Sequence, residues 1–303
     1  AERAIEDLDY HAKVLDCLGL GPEHKIILHL GGVYGNKEHA IRRFLSRYRG
    51  LGYDVKRRLV LENDDKLFNI RDVLETAGVD GIPVVFDNLH NSVNPAEKFN
   101  MDVEWIKQCS QTWTKEDGPQ KIHYSQQHSD KRRGAHSNFI AIDEFLEFYQ
   151  QLYGMELDIM LEVKDKNLSA LKCMHCTSNM GISKLETEWA RYKYCILERS
   201  VEHYNAIRNL LKDKSTYPAK QMYQMIETSI RKPIVRDHAI NAAQHVWGYF
   251  KSRTTESEKK RFESVLKKFK LGEIEGQPVK NTLFTLARKY KEDYLLNSYY
   301  FHL

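Results

Sequence analysis

The chain has 303 residues, of which 42% are hydrophobic and 29% are charged, a globular composition that excludes a mainly disordered chain. No apolar run approaches the roughly 18 residues of a membrane-spanning helix. The start carries no apolar signal segment, and the five cysteines are scattered, so we expect a cytoplasmic protein with reduced thiols and no membrane partner. The formal net charge of +4 permits a nucleic-acid partner without demanding one.

An opening helix is predicted over Arg3–Leu18, and after it short apolar runs alternate with amphipathic stretches. Five apolar runs are predicted to be strands: Ile26–Leu30, Arg58–Leu61, Ile82–Phe86, Lys121–Tyr124 and Leu157–Val163. Four stretches between them are predicted to be helices: Lys37–Arg49, Asn69–Ala77, Pro95–Trp113 and Asp143–Tyr153. Repeated strand–helix units predict an α/β fold with a parallel sheet, and the nearly continuous apolar runs predict strands buried on both faces.

The number of predicted strands bears on the type of sheet. A TIM-type (β/α)8 barrel has eight strands in about 250 residues. Five strands therefore predict a barrel from which about three N-terminal βα units, roughly 75–100 residues, are missing. A smaller open sheet that is complete as given is the alternative.

After about Ser183 the alternation stops, and apolar and aromatic residues recur at the three- and four-residue steps that are typical of helices. Five helices are predicted there: Leu185–Leu211, Ala219–Ser229, His238–Arg253, Ser257–Phe269 and Thr282–Leu296. We therefore divide the chain into a partial barrel over residues 1–184 and a helical region over residues 185–303. Cys173 and Cys176 lack a second CxxC motif and a thioredoxin-type context, which indicates a linker with two thiols.

Every predicted strand leads directly into a side chain that can bind a metal ion. These side chains are His29, Glu62, Asp87 with His90, His123 with His136 in the next loop, and Glu162. A single His or Glu at a strand end is usually a structural group, but the carboxyl ends of parallel strands form one rim, so these groups should converge. Three carboxylates at one rim would repel each other unless divalent cations were bound. Imidazole and carboxylate ligands without thiolates predict zinc, manganese or iron.

Five motifs resemble the UV damage endonuclease family. They are His29–Lys37, Arg58–Lys66, Gly81–His90, Lys121–Ser125 and Lys131–His136, and the resemblance covers about residues 1–172. It implies a TIM barrel similar to endonuclease IV, with two or three bound divalent metal ions. Manganese is the first expected metal, and zinc and magnesium are the alternatives. It also implies a partner, damaged double-stranded DNA, that is hydrolysed immediately 5′ of UV photoproducts (cyclobutane pyrimidine dimers and 6-4 photoproducts).

The resemblance also implies which residues serve each metal ion. Glu62 would bridge two ions, and His29 would serve the first together with a histidine in the missing N-terminal part. Asp87, His123 and Glu162 would complete the second site, and His90 and His136 would hold the third. Endonuclease IV has an Asp at the position of Gly134, so one carboxylate of the third site is absent.

Lys121 is the expected replacement for that carboxylate, because the family carries a carboxylated lysine at this place. A lysine among cations has a lowered pKa, and its neutral amine can add carbon dioxide to form an anionic carbamate. We therefore predict that Lys121 is a modified metal ligand. The predicted catalytic residues are Glu62, Asp87, Lys121 and Glu162.

Cations and polar side chains near the rim are predicted to contact DNA, because phosphate contacts dominate DNA affinity. They are Tyr34, Lys37, Lys66, Tyr124, Gln126, Lys131, Arg132 and Arg133. In the helical region, Glu198–Tyr204 and Asn241–Lys251 resemble a bacterial domain of unknown function of the YbgA type, which implies no chemistry. Two alternatives stay open: a metal-dependent sugar isomerase or epimerase, and a non-catalytic DNA- or protein-binding module. The sequence does not predict any protein partner.

Overall fold

The computed structural model describes residues 2–97 and 101–303. The chain divides into two compact units, Ala1–Ala170 and Leu171–Leu303. None of the helices in these described ranges is long and apolar enough to cross a membrane.

The first unit contains a parallel sheet, as the strand–helix alternation predicted. Its strands are β1 (Ile26–Leu28), β2 (Leu59–Glu62), β3 (Val84–Asp87), β4 (Gln120–Tyr124) and β5 (Leu157–Leu161). In the described part of the chain the sheet has five strands in the order β1-β2-β3-β4-β5, and every neighbouring pair is parallel. The α/β class is therefore confirmed, whereas an eight-stranded barrel with missing units stays a prediction.

Seven helices connect or flank these strands in the described part of the first unit. They are α1 (Glu2–Cys17), α2 (Lys37–Arg49), α3 (Tyr53–Lys56), α4 (Ile70–Asp80), α5 (Asn88–Val93), α6 (Asp102–Ser110) and α7 (Ile142–Gln151). Polar side chains cap three of them: Asn36 accepts a hydrogen bond from the His39 amide, Asn69 forms a capping box with Asp72, and Asp87 caps α5. The helix predicted over Pro95–Trp113 begins only at Asp102, and part of it, residues 98–100, lies outside the described residues.

Burial differs between the inner strands and the outer strand β5. All residues of β2 and β3 are buried, as expected for strands that are covered on both faces. In β5, however, Asp158 and Met160 are exposed, so the prediction of burial on both faces is wrong there. Alternate residues of β5 are exposed, so one face of this strand is not covered.

The register of the sheet aligns the carboxyl ends of the strands. Glu62 of β2 is paired with Val85 of β3, and Asp87 at the end of β3 is paired with His123 of β4. Because all strands run in the same direction, the residues that end them lie at one edge of the sheet. This edge carries the candidate site.

The second unit is helical, as predicted. The helices from its start onward are α8 (Leu168–Thr177), α9 (Ile182–Leu197), α10 (Val201–Leu210), α11 (Ala219–Ile230), α12 (Arg236–Trp247), α13 (Glu256–Lys270), α14 (Gln277–Lys289) and α15 (Asp293–Leu296). A core of buried residues includes Phe262 of α13, Phe250 just after α12, and Tyr300 of the segment Tyr299–Phe301. Trp247 stacks on Phe262 with ring centroids 4.4 Å apart.

Three predictions in this region are wrong. The single helix predicted over Thr282–Leu296 is two helices, α14 and α15. Cys173 and Cys176 lie in α8 and not in a linker, and Cys173 is buried. The single helix predicted over Leu185–Leu211 is two helices, α9 and α10. The break occurs because Ser200 adopts extended backbone and its side chain caps α10, accepting a hydrogen bond from the His203 amide.

Candidate metal centre and nucleic-acid interface

Glu62 is the centre of the candidate metal site. It ends β2, and its side chain is only 4% exposed. Its Oε1 lies 2.8 Å from His123 Nδ1 and 3.7 Å from His90 Nδ1. Its Oε2 lies 3.5 Å from His29 Nε2. One buried carboxylate therefore lies among three imidazoles that come from three different strand ends.

Two further carboxylates extend the cluster. Asp87 is fully buried, and its Oδ1 accepts a 2.6 Å hydrogen bond from the His90 amide at the start of α5. Glu162 Oε1 lies 3.0 Å from His123 Nδ1, and Glu162 Oε2 lies 3.3 Å from His136 Nδ1. All seven ligands proposed from the strand ends are thus linked through short contacts.

The possible ligand atoms fall into two groups that share Glu62. One group is His29, Glu62 and His90, and the other is Glu62, Asp87, His123 and Glu162. Within each group the ligand atoms lie within 4.8 Å of one another. The sequence-based assignment placed His90 with His136, but His90 is grouped here with His29 and Glu62. The His90 and His136 rings are neighbours, with centroids 6.1 Å apart.

Unsatisfied polar atoms show that this cluster fits a cation. Asp87 Oδ2 and His123 Nε2 are buried and have no hydrogen-bond partner among the described residues. Buried polar atoms are normally paired, so such exceptions point to a missing ion or ligand. A carboxylate oxygen and an imidazole nitrogen are both ligand atoms for zinc, manganese and iron. The donor set therefore suits these ions.

The protonation of the cluster reflects its excess of buried acid. Burial raises the pKa of the Asp87 carboxyl to about 6, because the charged form loses hydration. Burial would lower the pKa of His123, but hydrogen bonding to Glu162 and Glu62 outweighs this effect and raises the pKa to about 10. A proton held on His123 therefore balances part of the negative charge of Glu62 and Glu162, and metal binding at His123 would release it.

Asn63 holds two of the candidate ligands in place. Its Nδ2 donates to the Asp87 carbonyl oxygen (3.0 Å), and its Oδ1 accepts from the Asp87 amide (2.9 Å). Its own carbonyl oxygen lies 2.9 Å from His90 Nδ1. A proton on that nitrogen leaves His90 Nε2 free as a ligand atom. The sequence analysis missed Asn63, although it directly follows Glu62.

A second side-chain amide repeats this arrangement one strand further on. Asn88 directly follows Asp87, and its Oδ1 accepts from the Ser125 amide (2.8 Å) while its Nδ2 donates to the Ser125 carbonyl (3.0 Å). An asparagine directly after an acidic ligand was the available signal for both residues. Asn63 thus joins the end of β2 to the end of β3, and Asn88 joins the end of β3 to the end of β4.

Lys121 lies apart from the ligand groups. It is on the same face of β4 as His123, because side chains two residues apart point to the same side of a strand. Its Nζ donates to Asp158 Oδ2 of β5 at 2.7 Å. Its carboxylation and its role as a ligand stay predictions.

Several of the predicted DNA contacts are exposed near the rim. Tyr34 follows His29 closely and is 87% exposed. It holds a left-handed backbone conformation with φ 49°, which is uncommon for a residue with a side chain. Lys66, Lys131 and Arg132 are exposed as well. Lys37 is half-buried and pairs with Asp72 Oδ2 at 2.5 Å.

The basic loop Lys131–Arg133 is held in a defined shape by Gln127. Gln127 Oε1 accepts from the Gly134 amide (2.7 Å), and its Nε2 donates to the Arg132 carbonyl oxygen (3.0 Å). The Arg133 guanidinium donates to the Ser92 carbonyl oxygen at 2.6 Å. The loop therefore presents Lys131 and Arg132 to solvent, next to His136.

Two predicted DNA contacts are wrong, because Tyr124 and Gln126 are buried (3% and 9% exposed). The Tyr124 ring packs on Phe145 and Phe148 of α7. Gln126 Nε2 donates to the Ala141 carbonyl oxygen (3.0 Å), and its Oε1 accepts from the Ala141 amide (2.7 Å). Alternation along the strand explains the error, because a side chain next to His123 faces the opposite side of the sheet.

Comparison with known proteins identifies both parts of the chain. The family model described as UV-endonuclease UvdE matches residues 1–192, which is more than half of the sequence. The chain belongs to the UV-endonuclease UvdE family. A second family model, described as a protein of unknown function (DUF1722), matches residues 193–303. Both resemblances stated from the sequence motifs are confirmed.

The relatives of this UvdE-family chain are longer than the matched region. The UV DNA damage endonuclease of Clostridium perfringens (strain 13 / Type A) is 38% identical over 216 residues, which cover 70% of this chain and 52% of the relative. The UV DNA damage endonuclease of Bacillus cereus (strain Q1) is 35% identical over 188 residues, which cover 61% and 58%. The chain spans about half the length of these curated relatives.

A solved structure supports the fold of the UvdE-family region. The crystal structure of SacUVDE matches with a TM-score of 0.52 at 38% identity, covering 60% of this chain and 58% of that chain. The UvdE match ends at residue 192, whereas the first compact unit ends at Ala170. The division at residue 184 that the sequence suggested lies between these two positions and stays a prediction.

Proposed function

We propose that this chain is the metal-binding part of a DNA repair endonuclease that hydrolyses the phosphodiester immediately 5′ of UV photoproducts. The observation that carries the proposal is the convergence of His29, Glu62, Asp87, His123 and Glu162 at one edge of a parallel sheet. The name of the curated relatives, UV DNA damage endonuclease, supports the substrate class. In this proposal residues 1–184 carry the chemistry, and residues 185–303 are an accessory domain.

His29, Glu62 and His90 would hold one divalent ion, and Glu62, Asp87, His123 and Glu162 would hold a second. Manganese is the first candidate, and zinc or magnesium are the others. Bound divalent ions supply two kinds of chemistry: they lower the pKa of water and they neutralise charge on a phosphate group. His136, beside Glu162, is the candidate for a third site.

The protein's own side chains have distinct tasks in this mechanism. Asp87 is buried and fixed by Asn63, so it acts as a rigid ligand. Glu162 is more open, with 29% of its side chain exposed, and can orient water at the scissile phosphate. Lys131 and Arg132 would bind the DNA backbone, which makes affinity fall as salt rises. Tyr34 and Lys66 would add contacts at the same rim.

Incision of a UV-irradiated duplex tests the proposal, with undamaged and abasic duplexes as controls and with manganese, magnesium and zinc compared. We expect damage-dependent incision in the presence of metal. Glu62→Gln should abolish it, because both ligand groups contain Glu62. The matched control is Glu144→Gln on the exposed surface of α7, which should incise normally. Metal binding with a preference for sugar substrates would instead support the isomerase alternative.

Carboxylation of Lys121 is part of the same proposal. The Nζ amine would attack carbon dioxide, form a new N–C bond and release a proton, leaving an anionic carbamate. Support comes from its position on the His123 face of β4, where its salt bridge to Asp158 is accessible to solvent. Nuclear magnetic resonance of the zinc- or magnesium-loaded protein in ¹³C-bicarbonate tests this directly, because these ions are diamagnetic and leave the carbamate signal sharp. A Lys121→Ala variant that keeps the carbamate signal would contradict the assignment.

A further inference from the structure

The two compact units carry net charges of opposite sign. The unit Leu171–Leu303 contains 24 Lys and Arg against 14 Asp and Glu, which gives a formal net charge of +10. The unit Ala1–Ala170 contains 22 Lys and Arg against 28 Asp and Glu, which gives −6. The overall charge of +4 is therefore the sum of an acidic sheet unit and a strongly basic helical unit.

The acidic charge of the first unit matters for the proposed function. An endonuclease that acts on DNA has to bind a polyanion, and cations that contact phosphates supply much of the affinity. Two bound divalent ions would not reverse the sign of the net charge of this unit. The helical unit is the part of the chain whose net charge attracts DNA.

The helix α13 carries many of the exposed cations of the helical unit. Phe262, Leu266 and Phe269 are buried and anchor one side of this helix in the core. On the solvent side, cations and serines recur at steps of three and four residues, so they share one face. We call it the basic face of α13; it consists of the exposed residues Ser257, Lys260, Arg261, Ser264, Lys267 and Lys268.

The four cations of the basic face of α13 are not neutralised by the protein. Within the described ranges, the side chains of Lys260, Arg261, Lys267 and Lys268 form neither an ion pair nor a hydrogen bond. Other surface cations of this unit are paired: Lys289, for example, lies 2.6 Å from Glu258 Oε1. The positive charge of the basic face is therefore available to a partner.

The two carboxylates that border the basic face leave its lysines free. Glu256 and Glu263 lie one helical turn before Lys260 and Lys267, a spacing at which glutamate and lysine often pair. Neither pair forms an ion pair among the described residues. The third carboxylate of the helix, Glu258, is occupied by Lys289 and by the Tyr290 hydroxyl at 2.7 Å.

The spacing and chemistry of the basic face fit a phosphate backbone. Lys260 and Lys267 are seven residues apart, which is about 10 Å along the helix axis. One strand of DNA carries about three phosphates over this length. Ser257 and Ser264 lie between the cations, and serine hydroxyls are common donors to phosphate oxygens.

The composition of the basic face also selects among anionic partners. It contains no aromatic side chain on which unpaired bases could stack, which disfavours a single-stranded nucleic acid. The apolar residues of α13 are buried in the core, so the helix has no apolar face to insert into a lipid bilayer. A double-stranded phosphate backbone fits both observations.

We propose that the basic face of α13 binds the phosphate backbone of duplex DNA without reading its sequence. The choice of DNA as the partner rests on the proposed function, because the first unit would act on damaged duplex DNA. The helical unit thus supplies backbone affinity that the net charge of the first unit does not provide.

Fluorescence anisotropy of the full 303-residue chain with a labelled, undamaged duplex of about 30 base pairs tests the proposal. No metal is added, so neither incision nor a lesion contributes. We expect the logarithm of Kd to rise with the logarithm of the salt concentration with a slope of about 3 or more, because each phosphate contact contributes about 0.9. Duplexes of two unrelated sequences should have Kd values within about 2-fold, since backbone contacts carry no sequence information.

Glutamine substitutions then assign the contact to α13. A triple variant with Lys260→Gln, Lys267→Gln and Lys268→Gln should bind at least about 10-fold more weakly at low salt, and its slope should be smaller by about 2 to 3. All three side chains are exposed, so the variant should fold normally, and circular dichroism checks this.

A charge-matched control removes three lysines of the same unit that lie outside α13. Lys184→Gln, Lys212→Gln and Lys232→Gln lie in α9, just after α10 and just after α11. Because exposed charges are screened beyond about 10 Å at 0.1 M salt, this variant should bind within about 2-fold of the unchanged protein.

Three results would overturn the proposal. The first is an α13 variant with the affinity and the salt slope of the unchanged protein. The second is a loss of affinity in the control variant as large as in the α13 variant, which would indicate a general effect of net charge. The third is tighter binding of an RNA of the same length than of the DNA duplex.

Incision of a UV-irradiated duplex scores the proposed function separately. A chain that binds DNA through α13 but does not incise it would refute the endonuclease proposal and support this inference. Damage-dependent incision together with unaltered DNA affinity of the α13 variant would refute this inference alone.

Discussion

Replacing Asn63 with Ala should damage the metal site without removing a ligand. The substitution deletes the hydrogen bonds to the Asp87 carbonyl and amide groups, which are 3.0 and 2.9 Å long. A stranded buried N–H costs about 1–3 kcal/mol, and the second lost bond about 1 kcal/mol, so the free energy of unfolding should fall by about 2–4 kcal/mol. Because Asp87 loses its support, manganese affinity should fall about 10- to 100-fold.

Two measurements separate these effects. Urea unfolding gives the change in the free energy of unfolding, and hydrogen exchange shows whether β2 and β3 are affected locally. Titration calorimetry of the folded variant gives the manganese affinity. The control is Asn69→Ala, which removes the capping box of α4 and should cost about 1 kcal/mol while leaving manganese affinity unchanged. Equal manganese affinity of Asn63→Ala and Asn69→Ala would refute a positioning role for Asn63.

Three further predictions concern the same rim. Asp87→Asn should stabilise the metal-free protein at pH 7 by up to about 3 kcal/mol while weakening manganese binding. The sign follows from the Asp87 pKa, which is raised to about 6 from its usual value of 3.8. The folded state holds the proton more tightly, so this carboxyl reduces stability as pH rises through that window. Urea unfolding of the variant and the unchanged protein at pH 4 and pH 7 checks it. The variant should be the more stable of the two at pH 7, and the same difference in stability at both pH values would contradict the prediction. Gly134→Ala should cost about 1–2 kcal/mol, because Gly134 has φ 84° and an added Cβ would lie 3.2 Å from Asp65 Oδ2; an unchanged melting temperature would count against this. Gln127→Ala should speed hydrogen exchange in residues 128–136 and weaken DNA binding, and a loop with unaltered protection would exclude the proposed support.

Local patterns in the sequence were enough to predict the five strands and the longer helices of the first unit, whereas the short helices α3 and α5 were not predicted. Apolar runs such as Val84–Phe86 marked the strands, and the strand–helix order predicted parallel pairing. The error at β5 arose because its apolar run does not indicate whether both faces of the strand are covered by other parts of the chain. The break between α9 and α10 was missed because the Ser200 cap competes with an apolar pattern that continues through it.

Parallel strand order by itself determined that His29, Glu62, Asp87, His123 and Glu162 would meet at one edge, since strands of one direction bring their carboxyl ends together. The tertiary structure alone decided how they are grouped, that His90 lies with His29 and Glu62, and that Asn63 fixes Asp87. It also decided that Tyr124 and Gln126 are buried and that Lys121 contacts Asp158. The physical reason is that chain order specifies strand direction, whereas side-chain contacts between distant segments depend on the register and packing of neighbouring strands and helices.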